Sequence, residues 1–148
     1  NKKPRSRSPR SRTVIRSAPT ETLTVSETVL LIEDSPTQAL RIRIGLEQKG
    51  LKVLIVNQST AAIETAKENT PDVVLSDVRM PGMDGFDLCK AIRADSELSK
   101  LPVVLTSATV NPSDEEKAFE AGGQAFIEKG LDPGKLADLL RDVIAKGV

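Results

Sequence analysis

Histidine is absent from this 148-residue chain. Without an imidazole there can be no His-based zinc site, no Ser-His-Asp triad and no phosphohistidine. The single cysteine, Cys89, excludes an intrachain disulfide and any cysteine cluster. It falls in an apolar helical stretch, where a thiol reads as a small buried hydrophobe. Tryptophan and tyrosine are missing and phenylalanine occurs three times, which leaves few rings for stacking against a flavin or a base. No apolar run approaches the ~18 residues of a membrane span. No apolar signal-peptide core opens the chain, so a cytoplasmic protein is expected. The first residue is not Met, which fits a processed product or a piece of something longer.

What is present is enough apolar material, 39% of residues, for one core in one domain. The formal net charge of zero conceals an asymmetry. Residues 1–20 hold seven basic groups and no acid, which leaves 14 basic and 21 acidic groups, net −7, for the rest. Residues 1–26 are rich in Arg, Ser, Pro and Thr and are expected to be a disordered basic tail or linker. Residues 27–148 are expected to form the folded domain.

From Thr28 onward short apolar runs alternate with stretches long enough for helices. The runs Thr28–Ile32, Lys52–Val56, Val73–Ser76, Val103–Ser107 and Ala125–Ile127 predict strands buried on both faces of a parallel sheet. Pro36 fits the first turn of the first helix, with Asp34 or Ser35 as its cap and Gly50 after its end. The alternation Leu40-Arg41-Ile42-Arg43-Ile44 mimics a strand, but its position between two strands favours helix. Ser113 to Glu116 has capping-box spacing for the fourth helix. Asp132-Pro133 opens the last helix, whose Leu136, Leu139, Leu140, Val143 and Ile144 form one apolar stripe. Five β-α units with right-handed crossovers give an α/β, doubly wound three-layer sandwich.

The most specific pattern is acidic. The run ending at Ile32 is followed by Glu33 and Asp34, and the run ending at Ser76 by Asp77. Open α/β sheets place their ligands at the carboxyl ends of the strands. Three carboxylates a few Å apart in a partly desolvated cleft repel one another, and protonation or a divalent cation relieves the strain. With no His and no nearby Cys, a hard oxygen-ligated ion such as Mg²⁺ is favoured over a transition metal. Taken singly, each acid reads equally well as a cap or turn residue. Thr106 and Ser107 end the fourth run and Lys129 follows the fifth, so a hydroxyl and an ammonium join the acids at one edge. Asp84, in the turn before Gly85, is expected to cap the third helix.

Four segments then carry a family resemblance: Leu30-Leu31-Ile32-Glu33-Asp34-Ser35-Pro36, the run from Pro71 through Asp77 to Met80-Pro81-Gly82-Met83-Asp84-Gly85, Leu101-Pro102-Val103-Val104-Leu105-Thr106-Ser107-Ala108, and Ala125-Phe126-Ile127-Glu128-Lys129. In this order they resemble the receiver domains of two-component response regulators, similar to the single-domain chemotaxis receivers, over about residues 27–146. The resemblance implies a flavodoxin-like five-stranded parallel sheet of order 2-1-3-4-5. It implies that Asp77 is the phosphoacceptor and that Glu33, Asp34, Asp77 and the backbone carbonyl of Arg79 hold Mg²⁺. Lys129 matches the phosphate partner, Ser107 the switch hydroxyl and Phe126 the aromatic switch, which would rotate into the space Ser107 vacates. By strand alternation Thr106 should face the other way.

The implied function is a Mg-dependent phosphoacceptor that takes its phosphoryl group from a histidine kinase or phosphotransfer protein and signals to a downstream partner through the face of the fourth helix, fifth strand and fifth helix. Such a domain is not a turnover enzyme, acting only on its own phosphorylation and dephosphorylation, and no direct DNA binding is expected. Three departures from the family stand out: Glu33 for the commoner Asp, Ser107 for Thr, and Gly130 for the proline usual after the lysine. Other readings are a receiver within a hybrid histidine kinase, and a degenerate receiver that binds partners without phosphorylation. A flavin electron carrier lacks its aromatics, and an aspartate-nucleophile hydrolase lacks its second Asp, since Arg79 stands two residues after Asp77.

Overall fold

The computed structural model describes residues 26–148; the expected tail, apart from Ser26, lies outside the described residues. Ten elements follow in strict alternation: β1 Thr28–Ile32, α1 Pro36–Glu47, β2 Lys52–Val56, α2 Ala62–Asn69, β3 Val73–Asp77, α3 Gly85–Ala94, β4 Val103–Ser107, α4 Pro112–Glu120, β5 Ala125–Glu128 and α5 Pro133–Lys146. A 3₁₀ turn, Ser59–Ala61, leads into α2. The strands form one parallel sheet in the order β2-β1-β3-β4-β5, the flavodoxin-like order. Strands β3 and β5 each run one residue further than their apolar runs, to Asp77 and Glu128.

The sheet is apolar on both faces because alternate side chains enter different cores. Val29, Leu31, Leu75 and Val104 pack with Leu46 of α1 and Leu136, Leu140 and Val143 of α5. Leu30, Ile32, Val74 and Leu105 pack on the other side with Ala66 of α2, Leu88 and Ile92 of α3 and Ala118 of α4. Each fully buried Leu or Ile contributes roughly 1.5–3 kcal/mol, so this double burial is the main force that selects the three-layer arrangement. The stripe on α5 lands as its spacing predicts, with Leu139 and Ile144 half-buried at its margin.

Caps set the helix starts. The Ser35 hydroxyl accepts from the Gln38 N–H at 3.3 Å, and Asp84 from the Asp87 N–H at 2.8 Å. Asp132 accepts from the Gly134 and Lys135 N–H groups. The fourth helix departs from expectation. Its cap is Asn111, accepting from the Asp114 N–H at 2.9 Å, with Pro112 in the first turn. Proline disfavours helical geometry in the residue before it, so Asn111 is held extended and the helix starts there and not at Ser113.

At the amino edge of the sheet one cation, Arg93, makes four hydrogen bonds. The Arg93 guanidinium donates to the carbonyls of Gly122 (3.0 Å), Ser99 (3.3 Å) and Leu101 (2.7 Å) and to Gln124 Oε1 (2.7 Å). Gln124 Oε1 also accepts from the Val103 N–H at 2.7 Å, so the starts of β4 and β5 are tied to α3. Among the described residues no helix is long and apolar enough to cross a membrane.

Candidate functional site

The carboxyl edge gathers the charged groups. The Glu33 N–H donates to the Val56 carbonyl at 3.1 Å, extending the β1–β2 pairing one residue beyond the strand and fixing a side chain that is 2% exposed. Its Oε2 accepts from the Ser35 N–H at 3.2 Å. Asp34 turns outward and is exposed. Asp77 is the last residue of β3 and is 6% exposed. Ile32 pairs with Ser76 in the register, so the residues that follow, Glu33 and Asp77, come level. One carboxylate oxygen each from Glu33, Asp34 and Asp77 lie within 4.8 Å of one another.

Lys129 enters this group from the end of β5, its N–H held by the Ser107 carbonyl at 2.9 Å. Its ammonium donates to Asp77 Oδ2 at 2.7 Å and to Gln38 Oε1 at 2.8 Å, and lies 3.0 Å from Glu33 Oε1. Three acceptors thus match its three protons. Burial alone would lower its pKa. The hydrogen bonds to Asp77 and Glu33, and their charges, more than offset that and leave it raised.

The other Asp77 oxygen, Oδ1, accepts from the Arg79 N–H at 3.1 Å. The Arg79 carbonyl accepts no backbone hydrogen bond among the described residues. The Arg79 guanidinium reaches away to Asp114 Oδ2 at 2.8 Å. Ser107 is buried, 1% exposed. Strand alternation puts it on the same face as Leu105 and Phe126, which share one core, and Thr106 on the other. Phe126 is packed inward, 8% exposed. Gly130 answers for the missing proline: its φ is +90°, whereas proline locks φ near −65°.

Six sequence-named residues therefore lie at one edge: Glu33, Asp34, Asp77, Arg79, Ser107 and Lys129; Phe126 sits within β5, level with Leu105 in the core. Asp84 stays outside as a helix cap. Gln38 and Asp114 were not singled out by sequence. Asp114 had a signal, since it stands three residues after Asn111 in an Asn-Pro start. Gln38 had none, because its role depends on how α1 faces the end of β5. The donor set suits a hard divalent cation, with three carboxylates, a carbonyl that accepts no backbone hydrogen bond among the described residues, and no sulfur or imidazole. A cavity of about 560 Å³ lined by Asp34, Asn57, Ser59, Met80 and Gly82, among others, opens beside the acids.

A sequence profile described as the response regulator receiver domain matches residues 29–141. The DNA-binding response regulator MtrA of Mycolicibacterium smegmatis is 30% identical over 80% of this chain, which spans 50% of that protein's length. Protein PilH of Pseudomonas aeruginosa is 29% identical over 79% of this chain and 97% of its own. The crystal structure of the signal receiver domain of a signal transduction histidine kinase from Syntrophus aciditrophicus superposes with a TM-score of 0.74 at 31% identity, covering 82% of this chain and 92% of that one.

Proposed function

The chain belongs to the response regulator receiver domain family, and from that premise we propose that it is a phosphoacceptor switch in which Asp77 takes a phosphoryl group from a histidine kinase or phosphotransfer protein. An Asp77 carboxylate oxygen forms the new P–O bond as the P–N bond of the donor breaks. The electron pair of that bond returns to the donor's imidazole nitrogen. Phosphoryl transfer needs positioning and charge neutralisation more than covalent assistance. Lys129 supplies part of both, since the ammonium that now sits on Asp77 can follow the charge to a phosphoryl oxygen.

Glu33, Asp34, Asp77 and the Arg79 carbonyl would hold Mg²⁺, which when bound neutralises charge on the transferring group. Glu33 is pinned by Lys129 and by the Ser35 N–H, so its part is to fix the pocket's charge, while the exposed Asp34 offers the open face. Asp77 keeps one oxygen on the Arg79 N–H, which orients the other toward the donor. Ser107 is the hydroxyl placed to follow the phosphoryl group. Output runs through the α4–β5–α5 face to a protein partner. The chemistry is confined to the domain's own phosphorylation and its reversal, and a cytoplasmic setting goes with a kinase donor.

The observation that carries this reading is the contact of Lys129 with both Asp77 and Glu33 beside Asp34, a constellation that a capping role for each acid does not require. Intact mass after incubation with a small acyl phosphate and Mg²⁺ tests it. Wild type is expected to gain one phosphoryl group and Asp77→Asn none. No gain in wild type refutes the reading, and a gain in both moves the acceptor elsewhere. The likeness to a histidine kinase's receiver favours one second setting, a receiver within a hybrid kinase, with the same acceptor chemistry.

A further inference from the structure

Helix α4 is lightly held. Only two of its residues are buried, Ala118 and the charged Asp114, whereas α3 buries five, among them Phe86, Leu88 and Ile92. The segment 108–111 that leads into α4 is exposed throughout. The amino-terminal turn of α4 therefore has almost no apolar contact to keep it against the sheet, and what it has instead is Asp114. That carboxylate is 8% exposed at the side chain and meets the Arg79 guanidinium at 2.8 Å. The Asn111 side-chain amide donates to the same oxygen at 3.1 Å.

Arg79 is connected at both ends. Its main-chain N–H donates to Asp77 at 3.1 Å, and its side chain, 61% exposed, crosses the edge to α4. A single residue thus touches the acceptor with its backbone and the output helix with its guanidinium. We propose that the Arg79–Asp114 pair is a latch that fastens the first turn of α4 in the unphosphorylated protein and opens when Asp77 is phosphorylated. The latch rests on the acceptor reading above.

The physical argument for opening is one of competing anions. The phosphoryl group adds roughly −1.5 to −2 charge and three strong acceptor oxygens. Planar guanidinium matches such a group with two parallel hydrogen bonds, against the single oxygen it uses on Asp114. Being mostly exposed, the arm can swing without leaving a void. Asp114 is not stranded when it leaves, because the Asn111 amide remains and the amino terminus of α4 favours a negative charge. Both arrangements are satisfied, which makes the latch a two-state element and not a mere strut.

Hydrogen exchange at the amides of residues 111–116 reads the latch directly. In the resting protein, Arg79→Ala and Asp114→Asn should each speed exchange there by roughly fivefold, and Arg79→Lys by less. Wild type carrying beryllofluoride and Mg²⁺, a phosphoryl mimic, should show the same acceleration, and Arg79→Ala should gain little more. Equal resting exchange in wild type and both loss variants overturns the latch. So does a wild-type protein that binds beryllofluoride, seen as protection around residues 77–79, with no change at 111–116. If beryllofluoride does not bind at all, the acceptor reading and the release step fall together, while the resting variants still decide whether the pair holds the helix.

Discussion

Lys129 joins the stability of the domain to the chemistry proposed for it. Its ammonium lies between two carboxylates that are each almost wholly buried. Removing one partner from a buried ion pair leaves charge uncompensated, at a cost of about 3 kcal/mol. Lys129→Ala is therefore expected to lower stability by that order in urea unfolding at neutral pH, and to recover more than wild type when Mg²⁺ is added, because the cation then fills the lysine's electrostatic role. The raised pKa gives a second signature. A group whose pKa is higher folded than unfolded contributes stability that is full below its unfolded value and fades as pH rises through the folded one. Wild type should thus lose stability above about pH 10.5 in melting curves, the ordinary lysine value, and Lys129→Ala should lack that component. The placement of Asp77, Glu33 and Lys129 was legible because each stands within two residues of the end of an apolar run, so the strand end fixes its place. Gln38 was not, since nothing local marks a glutamine whose partner lies 91 residues away.

At the level of elements, the start of α3 packs tightly against the end of β3, where the proposed acceptor Asp77 sits. A Cβ at Gly85 would meet the Asp77 carbonyl oxygen at 2.6 Å and the Val78 Cα at 2.8 Å, both rigid backbone. The Gly85 N–H also donates to the Val78 carbonyl at 3.0 Å. Gly85→Ala is expected to push α3 off the loop that carries Asp77 and Arg79, with overpacking costing about 1–3 kcal/mol. Thermal unfolding should report the loss, and acyl-phosphate labelling of Asp77 should slow with it; Gly82→Ala, whose Cβ would meet nothing within 4 Å, is the contrast for packing, although its φ of +75° carries its own strain. Strand positions were read from the sequence to within one residue, because continuous apolar runs leave little freedom. The cap of α4 was misread because two signals overlap there, and the restriction that Pro112 places on Asn111 outweighs the Ser113 spacing.

The whole molecule is legible in outline because alternating strand and helix lengths permit few topologies, and double burial of each strand permits fewer. What no local pattern announces is Arg93, a cation whose described partners are three carbonyls and one side-chain amide. Burial lowers its pKa without approaching neutrality. Arg93→Ala strands several acceptors at once and should cost about 3 kcal/mol, seen as a lower urea midpoint with an unchanged slope. Arg93→Lys should not restore it, lacking the forked geometry. Because every strand runs the same way, all five begin at the end that Arg93 secures, and β1 begins there too, its Thr28 N–H tied to Asp72 Oδ2 at 2.7 Å. Whatever chain precedes residue 26 therefore joins the domain at the end of the sheet opposite the candidate site. A pull on that tether would load the start of β1, whose Thr28 N–H is held by Asp72, at the opposite end of the strand from Glu33 and Asp34.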